Sequence, residues 1–109
     1  MNVREHLQNG LPLVLDGAMG TLFAALPGQS EAACEQANLE NPEQVLRIHK
    51  AYLDAGSNAI QTNTFSLSAA IAQGRREEAL RLLDAGCRLA AQAAEETNAA
   101  VFADIGPAP

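Results

Sequence analysis

The sequence predicts an α/β fold with a parallel sheet, because three strand-length apolar segments alternate with two helical segments. The apolar segments are residues 11–15, 59–65 and 100–105. Each is continuously apolar rather than alternating, which is typical of parallel strands that are buried on both faces. The chain reaches its last residue soon after the third segment, with no helix to cover that strand, so we interpret it as part of a larger α/β fold.

The helix predicted between the first two strands has residues typical of a helix start and a helix end. Asn41 suits the N-cap, Pro42 suits the first helical position, and Gly56 is a natural stop. A longer helix is predicted over residues 77–96, and a further short helix over residues 66–73.

The long helix has a predicted core stripe at spacings of three and four, formed by Leu80, Leu83, Cys87, Ala90 and Ala94. Gly86 costs such a helix about 1 kcal/mol relative to Ala. We expect a close approach between this helix and the sheet as the compensation.

Composition narrows the class of protein. The 109 residues include 48% apolar and only 18% charged residues, which argues for one folded domain, residues 1–109, and against disorder. A net charge of -6 weighs against nucleic acid and anionic membranes as partners. No apolar segment approaches the ~20 residues of a membrane span, and no signal peptide is visible, so a cytoplasmic location is expected. Cys34 and Cys87 form no C-x-x-C motif.

In parallel α/β folds, functional residues collect where the strands end. Asp16 and Gly17 follow the first segment, Asn63 and Thr64 end the second, and Asp104 ends the third. The long connection from residue 21 to residue 40 also indicates a site or a lid. The sequence therefore predicts a pocket at this edge of the sheet.

Two interpretations of these residues stay open. Asp16 suits binding of an ammonium group or a sugar hydroxyl, but Asp-Gly is also a common turn pair. Asn63 and Thr64 suit either a ligand or the turn that follows them. For Asp104 a structural hydrogen bond is favoured over a ligand, and for His49 a packed or surface position is favoured.

Five segments of the chain, in order, resemble the homocysteine S-methyltransferase family. They are L-D-G-A-M-G-T at residues 15–21, C-E-Q-A-N-L and N-P-E within residues 34–43, I-H-x-A-Y-x-x-A-G at residues 48–56, T-N-T-F at residues 62–65 and G-P at residues 106–107. Together they cover nearly the whole chain.

The resemblance implies a (β/α)₈ TIM barrel, of which this chain is the N-terminal part with about three β/α units. It also implies transfer of a methyl group to the thiol of homocysteine, giving methionine. The thiol is activated by Zn²⁺, which deprotonates a bound thiol. The donor varies within the family: S-methylmethionine, S-adenosylmethionine, betaine, or a folate or corrinoid system. The implied partners are the remainder of the barrel and fused folate or corrinoid domains.

Site residues follow from the same motifs. Asp16 is similar to the family carboxylate that holds the amino group of homocysteine, and Gly17 to the glycine beside that substrate. Asn63, Thr64 and Phe65 are expected to line the pocket. The family's three zinc cysteines lie late in the barrel. This chain alone is therefore expected neither to bind zinc nor to catalyse methyl transfer.

Several departures from the family pattern leave the donor and subfamily open, including Gln61 where the family often has Glu. A second hypothesis belongs to another class: a free-standing, non-catalytic α/β module that binds a small molecule and self-associates to cover its sheet edges. A third is a related barrel that methylates another thiol or a selenol.

Overall fold

The computed structural model describes residues 1–30 and 34–107. Within these residues the elements are, in chain order, α1 (Val3–Gln8), α2 (Met19–Ala24), α3 (Ala37–Glu40), α4 (Pro42–Asp54), β1 (Ala59–Gln61), α5 (Leu67–Ala72), α6 (Arg76–Glu95) and β2 (Ala100–Phe102). None of the described helices combines the length and the apolar character needed to cross a membrane.

The two strands are parallel, which confirms the predicted sheet. Ala59 lies opposite Ala100, and Gln61 opposite Phe102. The chain leaves β1, forms α5 and α6, and returns beside β1, as a β-α-β connection does. Helix α6 packs against both strands and against α4 and α5, so it is the centre of the fold.

The first predicted strand is shorter than expected. Leu15 forms an isolated parallel bridge with Ala59, and the Asn58 N–H donates to the Val14 carbonyl at 2.9 Å. Before residue 14 the backbone is held by the side chain of Asn58 instead of by backbone hydrogen bonds of a sheet. Its Oδ1 accepts from the Val14 N–H at 2.7 Å, and its Nδ2 donates to the Pro12 carbonyl at 3.1 Å. Side-chain hydrogen bonds therefore limit the ladder here.

The other two predicted strands are also cut to three residues each. Burial on both faces was a wrong expectation for β2, since Val101 is 40% exposed and Phe102 36% exposed. Within the described residues β2 is paired only with β1. It is thus an edge strand, and no described element lies along its far edge.

Helix α4 confirms the predicted boundaries. Pro42 is the first helical residue, and Gly56 has φ +117° just after the helix, a conformation that glycine adopts easily. Asn41 stands at the N-cap position, but its side chain makes no capping hydrogen bond. The start of the helix therefore depends on proline geometry more than on the predicted cap.

Helix α6 lies where it was predicted, but its buried face is rotated. The residues that face the core are Ala79, Leu82, Gly86, Ala90, Ala93 and Ala94. Leu80 is 41% exposed, and Leu83 and Cys87 are only half-buried. The predicted stripe was wrong at Leu80, whereas Leu83 packs against the core cluster that contains Ala79 and Leu82. Apart from Leu82, the buried face of α6 consists of alanine and glycine, which allow its neighbours to come close.

The long connection over residues 21–40 includes two helical segments. It contains most of α2 and all of α3, although residues 31–33 lie outside the described residues. Phe23 of α2 is 1% exposed and belongs to a core cluster with Cys34, Val45 and Ile48. The connection is therefore packed against α4 and is not an open loop in the part described.

Candidate functional site

Three segments of the chain meet at the carboxyl edge of the sheet. After β1 and β2, the Thr64 hydroxyl donates to the Asp104 carbonyl at 2.7 Å, and the Asp104 N–H donates to Thr62 Oγ1 at 3.0 Å. On the other side of β1, the Gln61 N–H donates to Asp16 Oδ2 at 3.1 Å. These contacts join polar residues that the parallel strand order brings to one edge.

An open cavity of about 660 Å³ lies at this edge. It is lined by Met19 and Gly20 of α2, by Cys34 and Glu35, and by residues 62–66 and Asp104. The predicted site residues Asn63, Thr64 and Phe65 are thus part of the wall. Asp16 and Gly17 are not among the lining residues.

Only one of the two carboxylate oxygens of Asp16 has a hydrogen-bond partner among the described residues. Oδ2 accepts the Gln61 N–H, whereas Oδ1 is closed off from solvent and has no hydrogen-bond partner among residues 1–30 and 34–107. Burial raises the pKa of this carboxyl above its ordinary value, and the negative charge of Asp104 adds to the rise. The N–H groups of Gln61 and of Asp16 itself oppose the change. A cationic hydrogen-bond donor at Oδ1 would supply the missing partner.

Tyr52 of α4 holds the segment that follows Asp16. Its hydroxyl donates to the Ala18 carbonyl at 2.8 Å. Its ring lies so close to Gly17 that a Cβ there would come within 2.8 Å of the Tyr52 hydroxyl oxygen. Burial, and then the charge of Asp16, raise the pKa of Tyr52. Gly17 is therefore required for packing against Tyr52, whatever its role towards a ligand.

Asn63 points away from the other two strand-end segments, towards residues 34–38. Its Nδ2 donates to the Cys34 carbonyl at 2.8 Å and to Asn38 Oδ1 at 2.9 Å. Its Oδ1 accepts from the Cys34 thiol at 3.1 Å. The side chain is only 4% exposed, so Asn63 contributes to the cavity wall with its amide already hydrogen-bonded within the protein.

Phe65 and Gly106 form the closest approach between the two turns. The Gly106 N–H donates to the Phe65 carbonyl at 3.1 Å, and a Cβ at Gly106 would overlap that carbonyl oxygen. Only glycine fits this position without a backbone shift. The Phe65 ring remains 53% exposed at the cavity.

His49 is part of the core and not of this cavity. It is fully buried on α4, and neither ring nitrogen has a hydrogen-bond partner in the described part of the chain. Burial lowers its pKa from 6.5 to about 4, so the imidazole is neutral at neutral pH. The preference for a packed histidine over a ligand agrees with this position.

Two residues of the site were not singled out from the sequence, Asn38 and Tyr52. Asn38 is 3% exposed and donates through Nδ2 to the carbonyls of Asn63 and Leu82. The signal in the sequence was weak for each. Asn38 is an amide between two apolar residues, and Tyr52 is the only tyrosine in the sequence and lies on the apolar side of α4.

The described His, Cys, Asp and Glu side chains show whether a metal ion could be held here. Among residues 1–30 and 34–107, no three His, Cys, Asp or Glu side chains are grouped so that they could hold a metal ion. The described residues therefore do not fit the zinc that the resemblance implies.

The parallel β-α-β arrangement, with a polar site where the strands end, is that of an α/β protein, and its likeness to a solved structure identifies it as part of a (β/α)₈ barrel. A solved structure of the homocysteine methyltransferase MmuM from Escherichia coli, in its metallated form, matches 97% of this chain with a TM-score of 0.76. The match covers 42% of that protein, at 24% sequence identity.

The sequence comparisons identify the family. The family profile described as homocysteine S-methyltransferase matches residues 13–109, so the chain belongs to this family. Betaine–homocysteine S-methyltransferase 1 of Bos taurus is 31% identical and that of Pongo abelii 34% identical, each over 98% of this chain. The chain spans 28% of the length of either relative.

Proposed function

We propose that the chain is the N-terminal part of a homocysteine S-methyltransferase that gives methionine. In this reaction a bond forms between the homocysteine sulfur and a methyl carbon, the bond between that carbon and the donor breaks, and the thiol loses its proton. Membership of the family over residues 13–109 supports the proposal. Because the chain spans 28% of these relatives, we assign the activity to a complete barrel.

The proposal depends most on one observation: the buried Oδ1 of Asp16 accepts no hydrogen bond from any described residue. The ammonium group of homocysteine offers three N–H donors and a positive charge. Placed at Oδ1, it would supply the missing hydrogen bond and lower the raised pKa of Asp16, since an opposite charge favours the ionised carboxyl. Gly17 and Phe65 are proposed to lie beside the rest of the amino acid, and Asn63 and Thr64 to form part of the cavity wall around it.

The thiol requires separate activation, because a free thiol has a pKa near ~8.5 and is mostly protonated at neutral pH. Zinc is the agent that the family resemblance implies. The described residues offer no cluster of ligands for it, so we place the zinc ligands beyond this chain and assign no step through the metal to these residues.

Betaine is the methyl donor to test first, since it is named in the relatives of Bos taurus and Pongo abelii. S-methylmethionine, S-adenosylmethionine, methylfolate and a methylated corrinoid are the alternatives. Each would be supplied with homocysteine to the complete product of the reading frame that encodes this chain, and methionine would be measured. Failure with all five donors would overturn the proposal.

Asp16→Ala in the same product tests the substrate site. Loss of a charge-assisted hydrogen bond costs about 1.5–3 kcal/mol, so the KM for homocysteine should rise roughly 10- to 100-fold. Asp54→Ala is the matched control, because Asp54 is an exposed residue at the end of α4. An unchanged KM for Asp16→Ala would remove Asp16 from the substrate site.

The self-associating binding module remains a second candidate because apolar side chains are exposed along both sides of the sheet. They are Leu11, Val14, Leu15, Val101, Phe102 and Ile105. Sedimentation of the 109-residue chain distinguishes the two proposals. A cooperatively folded dimer would favour the module, whereas an aggregating or molten monomer would favour part of a barrel.

A further inference from the structure

We propose that Thr62, Asn63 and Thr64 are positioning residues, whose side chains fix the turn after β1 to its neighbours instead of contacting the ligand. All three line the cavity, and Asn63 and Thr64 were predicted to bind the ligand directly. Their relevance to homocysteine depends on the proposed function, but the arrangement itself is a property of the folded chain. Each hydroxyl and amide proton of the three side chains has a partner within the protein.

The two threonines form a closed set of hydrogen bonds with Asp104. Thr64 has a single hydroxyl proton, which it donates to the Asp104 carbonyl. The 2.7 Å contact between the two hydroxyls must then have Thr62 as the donor and Thr64 as the acceptor. Thr62 Oγ1 in turn accepts the Asp104 N–H. Both hydroxyl protons are therefore already used within the protein.

The Asn63 amide is committed in the opposite direction. Its two Nδ2 hydrogens go to the Cys34 carbonyl and to Asn38 Oδ1, so none is left for a ligand. Asn38 then donates to the Asn63 carbonyl at 2.8 Å and to the Leu82 carbonyl of α6 at 3.1 Å. One amide pair thus joins the turn after β1 to the 34–38 segment and to α6.

Burial agrees with this count. Thr62, Asn63 and Thr64 are only 3–4% exposed, whereas the next residue, Phe65, is 53% exposed. Leaving any of these buried groups without its partner would cost the folded state the desolvation of that group. The three side chains consequently place the ring of Phe65 and the backbone of Asp104 at the cavity, and the contacts with a ligand are left to other groups.

Thr62→Val tests the threonine set, because it keeps the shape of the side chain and removes the acceptor of the Asp104 N–H. Amide hydrogen exchange, measured without ligand on the complete product of the reading frame, should become roughly tenfold faster at Asp104. Thr62→Ser should restore the original rate. The Ala100 N–H, which donates to the Asn58 carbonyl in the sheet at 2.9 Å, should keep its rate and so show that the sheet is intact.

Kinetics complete the test. Thr62→Val should raise the KM for homocysteine roughly tenfold with little change in kcat, and Thr62→Ser should reverse the rise. A raised KM with unchanged exchange at Asp104 would mean direct ligand contact and would overturn the inference. Faster exchange with an unchanged KM would show that the threonines hold the turn without positioning it for the substrate, and this would overturn the positioning role. If the unsubstituted product methylates no homocysteine, the proposed function fails, while the exchange data still decide whether the threonines hold the turn.

Asn63→Asp provides an independent variant should Thr62→Val fail to fold. It replaces the two donors of Nδ2 by an acceptor that faces the Cys34 carbonyl and Asn38 Oδ1. Exchange at the amides of the 62–65 turn should accelerate, and Gln92→Glu on the exposed face of α6 should leave it unchanged as the charge control. Equal effects of the two substitutions would contradict a positioning role for Asn63.

Discussion

Acid should destabilise this protein through His49, a buried histidine on α4 that has no described hydrogen-bond partner. In the unfolded chain a histidine takes up a proton near pH 6.5, but burial lowers the pKa of His49 in the folded chain to about 4. Between these two values the unfolded state binds more protons than the folded state. The free energy of unfolding therefore decreases as the pH falls from 6.5 towards 4, and it is unaffected by His49 well above pH 6.5.

The size of the effect follows from the two pKa values. Linkage between 6.5 and about 4 gives a loss on the order of 2 kcal/mol between pH 7 and pH 5. This is a large share of the stability of a small domain. Urea unfolding of the complete product of the reading frame that encodes this chain, followed by circular dichroism at pH 7, 6 and 5, measures it directly.

His49→Leu separates this histidine from every other titrating group. The variant has an apolar side chain at the buried position and should lose on the order of 2 kcal/mol less than the unsubstituted chain between pH 7 and pH 5. His6→Leu is the matched control, since His6 is partly exposed and hydrogen-bonded to the Pro12 carbonyl, and this variant should keep the loss. Equal pH dependence of the chain and its His49→Leu variant would refute the reasoning.

Two further predictions concern glycines that allow close packing. Gly86→Ala should destabilise the chain by about 1–2 kcal/mol despite its better helix propensity, because the new Cβ would lie 2.7 Å from Asn38 Nδ2, and urea unfolding would measure it. A more stable variant would contradict the close approach. Gly17→Ala should cost about 1–3 kcal/mol through contact with the Tyr52 ring, and the cost should nearly vanish in a Tyr52→Leu background. If a double-mutant cycle shows no coupling energy between positions 17 and 52, the predicted contact between them is wrong.

The ends of the helices could be predicted because the signals are local. Pro42 and Gly56 act through their own backbone preferences, and both were located correctly from the sequence. Helix α1 was missed because it has no buried residue and hence no apolar period to detect. Its local signal was Asn2, whose side chain accepts from the Glu5 N–H.

The buried face of α6 could not be predicted from hydrophobicity. Leucine at position 80 is more apolar than alanine at position 79, yet Ala79 is 1% exposed and Leu80 41% exposed. Gly86 was correctly expected to mark a close approach. Its nearest neighbours, however, belong to Asn38 and to residues 63–64 after β1, and not to the strands of the sheet. Which stripe is buried depends on how near the neighbouring segments come.

Within the candidate site, the sequence alone determined which residues stand at the strand ends, because parallel strands separated by helices bring their carboxyl ends to one edge. Asn63 and Thr64 were named from this placement and Phe65 from the family motif, and all three line the cavity. Only the tertiary structure decided which of their polar atoms are already used. Asn63 and Thr64 form hydrogen bonds with residues 25 to 40 positions away, which local sequence does not reveal. The buried Oδ1 of Asp16, by contrast, has no hydrogen-bond partner within residues 1–30 and 34–107. Satisfaction of a buried polar atom depends on neighbours in space, and the fold alone supplies those.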